Sequence, residues 1–351
     1  MADVYVFVSN RGGVGKSTLV SQLAPAVAAG NALRDVLVLD LSIQGDTSTM
    51  LLGGFQQPTN FNPGIRTLGA EKIAQIPVEH RALGLLNSVY TTPATSTWRG
   101  FLKPRDSPFD FKLHSVNVNS AHPAGDAPRN LWLSAGGGEL FNAFPTVAAL
   151  PLAQKLRAAF SKLKDTIVII DTDAEISERV TSLVGIAAAQ NVVLVSSSNW
   201  ADYSRLLDDR ANSIFDLMAN INRNDTDFSA KITKIVFNNV NKRTNDNSAI
   251  CGSEVLNFTA PKDDTSSIEE IVNHFYMMTT SDTTMFSRYF KEFSASDPTS
   301  FASQYVAGLS AIPTTVLQKS CMTGMPIIST RSPTAPELAV QKQLVGMGLF
   351  F

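Results

Sequence analysis

A glycine-rich stretch near the start of the chain holds the residues best suited to chemistry. It reads Ser9-Asn10-Arg11-Gly12-Gly13-Val14-Gly15-Lys16-Ser17-Thr18. The stretch follows an alternating apolar run over residues 4–8 and precedes an apolar-periodic run over residues 19–29, so it is predicted to turn a strand into a helix. Glycines permit the unusual φ angles of such a turn and let backbone N–H groups approach an anion closely. The pattern therefore predicts an anion-binding loop.

The residues that close this stretch indicate that the anion is a nucleotide phosphate. A helix starting near Lys16 adds its dipole and its unpaired N–H groups. Lys16 is expected to reach the β- and γ-phosphates, and the Ser17 hydroxyl is expected to be a Mg²⁺ ligand. The strict Gly-x-x-x-x-Gly-Lys-Ser/Thr pattern lacks its first glycine here, whereas Lys-Gly-Gly-x-Gly-Lys-Ser/Thr fits with Arg11 in first position. The alternative is a glycine-rich turn before a helix, which needs no ligand.

Two acids follow apolar runs that are typical of strands buried on both faces. Residues 36–39 end at Asp40, and residues 166–170 end at Asp171. In a parallel sheet both carboxylates fall at the carboxyl edge, beside the glycine-rich loop, where Asp171 can hold a Mg²⁺-bound water. For Asp40 the alternative is an acid that only caps a strand end.

The motif Arg11-Gly12-Gly13-Val14-Gly15-Lys16-Ser17-Thr18 resembles the deviant Walker A loop of the ParA/MinD family of P-loop ATPases. The resemblance implies that ATP and Mg²⁺ are the cofactors and that a homodimer sandwiches ATP at its interface. In that family the first lysine of the loop touches the partner's nucleotide. Arg11 stands at that place and keeps the charge, with a planar fork suited to phosphate.

The same resemblance implies roles for individual residues. The residues that would bind the nucleotide are Gly12, Gly13, Val14, Gly15, Lys16, Ser17, Thr18, Asn238 and Pro313. The catalytic residues would be Lys16, Arg11 and Asp40, and the metal ligands Ser17, Asp40 and Asp171. Asn238 follows the apolar run 231–237 and aligns with an asparagine that binds the adenine edge, although asparagine is also an ordinary turn residue.

Two motifs depart from the family pattern. The family carries Asp-x-Asp-x-Gln-Gly after the second strand, and this chain has Ser42 in place of the second Asp. A serine hydroxyl can hold a water but cannot accept its proton. Hydrolysis is therefore expected to be slow unless Asp40 or Asp46 substitutes. After Asp171 the family continues Thr-Pro-Pro, whereas this chain supplies two further carboxylates, Asp173 and Glu175, which are alternative substitutes.

The alternation of apolar strands and helices predicts an α/β fold, a doubly wound, mostly parallel sheet with helices on both faces (a P-loop NTPase fold). We expect one domain over residues 1–351, with inserted irregular and helical segments at 53–130 and 244–308. Helices are predicted at 17–29, 70–90, 97–103, 146–163, 176–188, 201–221, 266–278, 283–294, 314–323 and from 332 to about 345. The aromatic residues of 266–294 are expected to pack inside the insertion, with a partner-docking surface as the alternative.

Composition excludes some classes of protein. The 351 residues carry a net charge of −2, which lacks the basic excess of a constitutive nucleic-acid binder. The two cysteines, Cys251 and Cys321, show neither metal-ligand spacing nor disulfide density. We find no secretory signal and no membrane anchor, and the apolar end 349–351 is too short to be one. The expected location is cytoplasmic.

These observations support two hypotheses of different classes. The first is a ParA-like ATPase that dimerises on Mg-ATP and uses slow hydrolysis as a switch to segregate or position DNA, a plasmid or another cellular cargo. Its implied partners are non-specific DNA and a ParB-like or other activating protein. The alternative is a nucleotide-stabilised scaffold or regulatory protein with little or no turnover. A third reading, a small-molecule kinase or synthetase, requires an acceptor pocket that the sequence does not identify.

Overall fold

The fold is that of a computed structural model of the whole chain. The structure describes residues 1–9, 12–57, 67–91, 109–121, 127–140, 143–173, 180–197, 213–240, 250–251, 268–281, 286–310, 314–330 and 333–348.

One sheet runs through the described residues, with nine strands in the order β3-β4-β2-β5-β1-β6-β7-β9-β8. The strands are β1 (Asp3–Val8), β2 (Asp35–Asp40), β3 (Val116–Asn117), β4 (Leu131–Ser134), β5 (Thr166–Asp171), β6 (Asn191–Ser197), β7 (Lys231–Val240), β8 (Ile250–Cys251) and β9 (Val306–Ser310). The seven inner strands are parallel, and the two short edge strands, β3 and β8, are antiparallel to their neighbours. The predicted α/β class with a mostly parallel sheet is confirmed.

Twelve α-helices of the described residues cover the sheet. They are α1 (Lys16–Gly30), α2 (Asp46–Leu52), α3 (Leu68–Gln75), α4 (Ala82–Thr91), α5 (Val118–Ala121), α6 (Ala149–Ser161), α7 (Val180–Ala188), α8 (Ile214–Asn224), α9 (Ile268–Thr280), α10 (Pro298–Tyr305), α11 (Thr314–Thr323) and α12 (Ala335–Gly348). None of the helices in the described part of the chain has both the length and the apolar character needed to cross a bilayer.

The central strands are apolar on both sides because each side faces a separate core. Side chains alternate across a strand, so Val6 and Val8 pack with α4, α6 and α7 on one side of the sheet. Phe7, between them, packs with α1 and α2 on the other side. Both cores hold large buried apolar sets, which fixes the register of β1 and, with it, the direction in which the following loop leaves the sheet.

The predicted helix 70–90 is wrong as a single element. The structure has α3 and α4, with a 3-10 helix, Val78–His80, between them. Pro77 accounts for the break, because it disfavours helical geometry at Ile76, which is extended with ψ 125°. The Arg81 side chain then joins the two helices by donating to the carbonyl of Ile76 at 2.8 Å.

The predicted helix 283–294 is also wrong over the residues described there. Only a 3-10 helix, Phe286–Tyr289, forms, and Phe290 then makes a parallel bridge to Ile232 of β7. The aromatic spacing reflects packing against the sheet, not a helical stripe. The helix of this region is α10, which starts after Asp297, whose side chain accepts from Ser300 N at 2.9 Å, with a proline at the first helical position.

Most other element predictions agree within a few residues with α1, α6, α7, α9, α11 and α12. Helix 201–221 is described only from residue 213, where α8 begins, and the predicted helix 97–103 lies outside the described residues. The aromatic packing prediction holds for Phe275 and Phe290, at 1% and 3% exposure. Segments 53–130 and 244–308, which we expected as insertions, contribute β3, β8 and most of β9 to the sheet.

Candidate functional site

The glycine-rich loop leaves the carboxyl end of β1, which lies between β5 and β6 in the middle of the sheet. Gly13 and Gly15 have φ angles of 85° and 80°, which glycine adopts without strain. A Cβ at Gly15 would also contact the side-chain amide of Asn238, which would have to shift, but the φ angle is what requires glycine there. The loop passes directly into α1, whose first turn presents backbone N–H groups at the same edge of the sheet.

Lys16 places a buried positive charge at this edge. The residue is 6% exposed, and its ammonium donates to Asp171 Oδ1 and to the carbonyl oxygen of Thr172. Lys16 is the first residue of α1, directly after the loop. Its side chain extends past the end of β1 to the end of the neighbouring strand β5. The positive charge therefore stands between the loop and the strand-end acid.

The second oxygen of Asp171 is held by a hydroxyl that the sequence did not single out. Thr47 Oγ1 lies 2.6 Å from Asp171 Oδ2 and 3.2 Å from the carbonyl oxygen of Ser17. Thr47 and Asp171 are both fully buried. This threonine stands in the first turn of α2, so α2 is tied to both the loop and the strand end.

Asp40 is equally buried, and hydroxyls and backbone N–H groups surround it. Its Oδ1 accepts from Ser42 N at 3.0 Å and Ser42 Oγ at 2.6 Å, and its Oδ2 accepts from Ser48 N at 3.0 Å and Ser48 Oγ at 2.7 Å. Burial, and next the negative charge of Asp171, raise the pKa of Asp40 to about 6. The hydrogen bonds from Ser42 and Ser48 oppose that rise.

The loop after β4 closes over Asp40. Gly136 N donates to Ser48 Oγ at 2.9 Å, and a Cβ at Gly136 would lie 2.6 Å from the Asp40 carbonyl oxygen. Only glycine lets this backbone approach so closely. The resulting enclosure explains why Asp40 has no exposed surface.

Two further carboxylates lie near this edge in different surroundings. Asp173 is 6% exposed, and its oxygens accept from Ile43 N and Thr181 Oγ1, both at 3.2 Å. Asp46 is partly exposed at the first position of α2. Partial burial, and next the charge of Asp171, raise the pKa of Asp46, while the charge of Lys16 opposes that rise.

Asn238 lies against the glycine-rich loop from the neighbouring strand. Its amide donates to the carbonyl oxygens of Val14 and Gly15 at 3.0 and 3.4 Å. The strand β7 brings it there because Asn238 pairs with Ser197 at the carboxyl end of β6, next to β1. Asn238 therefore supports the loop on the side away from Lys16 and Asp171.

The donors at this edge fit a magnesium ion. Asp40 and Asp171 are directly opposite each other on β2 and β5, and Lys16 is the cation beside them. Carboxylate and hydroxyl oxygens are the ligands that Mg²⁺ prefers. In the described residues no group of three or more His, Cys, Asp and Glu side chains could hold a metal ion. A bound ion would therefore take further oxygens from hydroxyls, phosphate or water.

The structure brings together most of the predicted site. The predicted residues at one edge of the sheet are Gly12, Gly13, Val14, Gly15, Lys16, Ser17, Thr18, Asp40, Asp171 and Asn238. Arg11, Pro313 and Glu175 lie outside the described residues, and their predicted roles stay predictions. The hydroxyls of Thr47 and Ser48 were missed. Their only signal in the sequence was their place in a polar run shortly after the strand-end Asp40.

Comparison with protein families and solved structures gives a consistent result. The family model described as the CobQ/CobB/MinD/ParA nucleotide binding domain matches residues 5–264. No curated protein matches the chain in sequence.

The solved structures share the fold at low identity. Apo McdA from Cyanothece has a TM-score of 0.51 and 13% identity, over 98% of this chain and 100% of that one. An ATP complex of a McdA variant from Cyanothece has a TM-score of 0.50 and 13% identity, over 99% of this chain and 96% of that one. A ParA family ATPase from Chlorobium tepidum TLS has a TM-score of 0.51 and 12% identity, over 99% of this chain and 98% of that one. At these identities the likeness shows the fold alone.

Proposed function

The chain belongs to the CobQ/CobB/MinD/ParA nucleotide-binding domain family, and on that premise we propose that it is an ATPase switch. In this proposal the chain binds Mg-ATP, dimerises with ATP sandwiched between two copies, and hydrolyses it slowly. The dimer holds a cargo, and hydrolysis releases it. The resemblance of residues 11–18 to the ParA/MinD loop makes DNA or another positioned cellular body the cargo to test first.

One observation carries the proposal: Lys16 and Asp171 meet at the mouth of a glycine loop that opens a helix. The loop supplies backbone N–H groups at the N-terminus of α1. Lys16 is already buried there, so it has lost much of its hydration before a phosphate arrives. A γ-phosphate oxygen would replace Asp171 as the partner of Lys16. The positive charge of Lys16 would then lie beside the phosphoryl group that is transferred and stabilise its negative charge.

Ser17, Asp171 and Asp40 are the proposed metal-holding residues. When bound, Mg²⁺ would neutralise phosphate charge and fix the orientation of the triphosphate. The release of Asp171 from Lys16 leaves a buried carboxylate without its cation, and a divalent ion supplies that charge. In this scheme the ion pair between Lys16 and Asp171 is replaced by two new ones, Lys16 with phosphate and Asp171 with Mg²⁺.

The nucleotide's other end would lie near Asn238. Because the Asn238 amide donates to the loop carbonyls, we propose that it holds the loop in shape for any nucleotide. Contact with the adenine edge, and packing of Pro313 against the ring, remain proposals. Arg11 is proposed to reach the nucleotide bound by the partner copy, where a guanidinium can pair with two phosphate oxygens.

A second candidate function is favoured by the state of Ser42. Its hydroxyl hydrogen is donated to Asp40, and its oxygen accepts from Gly45 N at 3.2 Å, so the hydroxyl has structural partners on both sides. If no other acid receives the proton of the attacking water, the chain would be a nucleotide-stabilised scaffold or regulator that holds ATP without turnover.

Steady-state phosphate release, with nucleotide binding measured alongside, separates the two functions. We expect the parent to release phosphate from Mg-ATP and Lys16→Ala to lose release entirely, because it removes the cation aimed at the phosphates. Lys164→Ala, which removes an exposed lysine far from the loop, is the matched control. Tight ATP binding without release in the parent would support the scaffold. Absence of ATP binding in the parent would overturn both.

A further inference from the structure

We propose that Asp46 is the carboxylate that receives the proton of the attacking water. The inference rests on the proposed ATPase function and names the residue that does the work of the family's second Asp, whose place Ser42 takes here. Four carboxylates of the described residues lie beside the loop and the strand ends, and their surroundings differ enough to choose among them. They are Asp40, Asp46, Asp171 and Asp173.

Three of these carboxylates are already occupied by structural partners. Both oxygens of Asp40 accept from Ser42 and Ser48, inside an enclosure that leaves no exposed surface. Asp171 is held on one oxygen by Lys16 and on the other by Thr47. The oxygens of Asp173 accept from Ile43 N and Thr181 Oγ1. A proton acceptor needs an oxygen that a water can reach, whereas Asp40 and Asp171 have no exposed surface and Asp173 is 6% exposed. When Lys16 turns to the phosphate in the proposed scheme, Mg²⁺ takes its place beside Asp171.

Asp46 differs in each respect. Within the described residues no hydrogen bond engages its carboxylate, and part of its surface is exposed. It begins α2 directly before Thr47, whose hydroxyl bonds Asp171, so it lies at the same edge as the proposed phosphate and metal positions. Its neighbour Thr47 bonds Asp171 directly, which fixes the first turn of α2 against the site.

The backbone before Asp46 is built to hold it there. Gly45 has a φ of 64°, and a Cβ on it would lie 2.9 Å from the carbonyl oxygen of Gly136. Gly45 N donates to Ser42 Oγ. The serine that replaced the expected acid therefore helps to position the turn that presents another acid four residues later.

The proposed step balances as follows. An O–H bond of the water breaks and its proton passes to the Asp46 carboxylate, while the water oxygen bonds to the γ-phosphorus. The bond from that phosphorus to the β,γ-bridging oxygen breaks, and ADP leaves with the electron pair. Asp46 then releases the proton to solvent, to which it is partly exposed.

The test compares Asp46→Asn with the parent, using single-turnover hydrolysis of Mg-ATP, the dissociation constant of a non-hydrolysable ATP analogue, and the melting temperature. We expect the hydrolysis rate to fall by about 10²- to 10⁴-fold, since that is the range for loss of a general base. The dissociation constant should change by less than about threefold, well under 1 kcal/mol in binding free energy. Asp46→Glu, which keeps a carboxylate, should regain part of the rate.

Asp216→Asn is the matched control, because Asp216 is also an acid in the first turn of a helix, remote from the loop. Its hydrolysis rate should stay at the parental value. If Asp46→Asn hydrolyses ATP within about twofold of the parent, a change of under 0.5 kcal/mol, the assignment is overturned while the ATPase stands. A large loss of analogue affinity in Asp46→Asn would instead make Asp46 a binding residue and overturn its role as base. If the parent itself binds ATP but shows no turnover above Lys16→Ala, the ATPase and the assignment fail together.

Discussion

The Thr47 hydroxyl joins two parts of the site that are far apart in sequence. It donates to Asp171 at the end of β5, and it lies 3.2 Å from the Ser17 carbonyl oxygen in the first turn of α1. Because Asp171 is buried, a hydroxyl that keeps its second oxygen satisfied also sets the direction in which the carboxylate points. Thr47 is therefore expected to act through Asp171 as a positioning residue.

Thr47→Val tests this role, because valine keeps the volume and removes the hydroxyl. The change leaves a buried carboxylate oxygen without its donor, and we expect it to lower the free energy of unfolding by about 1–3 kcal/mol. It should also raise the magnesium concentration needed for half-maximal phosphate release, because Asp171 is no longer held in place. Thermal unfolding and magnesium titrations of ATP turnover measure the two effects.

Thr49→Val supplies the control from the same helix. Thr49 is also buried, at 6% exposure, and among the described residues its hydroxyl takes part in no hydrogen bond. Its replacement should leave the magnesium titration where it is. An equal shift in both variants would mean that valine disturbs α2 in general, and Thr47 would then have no special link to Asp171.

The residues of the site that could be predicted from sequence are those whose type and spacing are rare. Lys16 stands in a glycine loop, and Asp171 ends an apolar strand, so each carries its own local signal. Thr47 and Ser48 have no such signal in the sequence, because their hydroxyls reach Asp171 and Asp40 only through the direction that the turn at Gly45 gives to α2. The sequence shows that Ser42 stands in place of an expected acid, but it does not show that the Ser42 hydroxyl donates to Asp40.

At the scale of elements, α11 and α12 are joined through one acid. Glu337 lies in the first turn of α12 and is 4% exposed. It accepts from Lys319 of α11 at 2.7 Å, and from Thr334 N and Thr334 Oγ1 at 2.8 and 2.9 Å. The second pair of bonds satisfies the start of α12, as the acid of a capping box does. Glu337 thus both begins one helix and attaches it to another.

Glu337→Gln should make stability less dependent on pH in the acid range. The hydrogen bond from Lys319, followed by that from Thr334 N, lowers the pKa of Glu337 from 4.5 to about 2. Because the folded-state pKa lies below the unfolded value, this stabilisation is fully present above about pH 4.5 and is lost as the pH falls toward 2. The variant should lose about 1 kcal/mol of unfolding free energy at neutral pH and nothing at the acid limit.

Melting temperatures recorded from neutral pH down to about pH 3, within the window of that titration, measure the effect. Glu269→Gln provides the comparison, because Glu269 is an exposed acid in the first turn of α9. Its melting curve should follow the parent at every pH. If Glu337→Gln also follows the parent, the bond from Lys319 contributes no net stability, as happens for many ion pairs with an exposed partner.

Element types were easiest to predict where burial was uniform. The strands β1, β2, β5 and β6 are apolar along their length because both faces are covered, and that pattern has few alternatives. The helix predicted at 283–294 was wrong because the aromatic residues there recur near helical spacing, although what they share is a packed cluster and not a helix face. Phe290 packs edge-on against Tyr305 at 5.0 Å between ring centres and bridges to Ile232, contacts that depend on the rest of the fold.

At the scale of the whole molecule, the chemical groups of the candidate site that the structure describes lie at one edge of the sheet. The loop after β1, the acids after β2 and β5, and Asn238 near the end of β7 all lie at the carboxyl ends of parallel strands. This follows from the topology, since every inner strand runs in the same direction. The cargo cannot be predicted in the same way, because recognition of a partner depends on surface shape and no short motif records it.

Assembly is the property of the whole molecule that the proposed switch depends on. An ATP-dependent dimer requires each copy to add charge to the site of the other, and Arg11 is the residue proposed to do so. Sedimentation velocity should show a monomer without nucleotide and a dimer with a non-hydrolysable ATP analogue and magnesium. Arg11→Ala should weaken the dimer by about tenfold to a hundredfold, the value of a hydrogen bond to a charged group, while ATP binding to the monomer is retained.

Arg223→Ala, which removes an exposed arginine from the end of α8, should dimerise like the parent. Unchanged dimerisation of Arg11→Ala would show that the two copies associate without a contact across the nucleotide. Hydrolysis in each copy would then be complete on its own, and the switch would have to act through a partner protein.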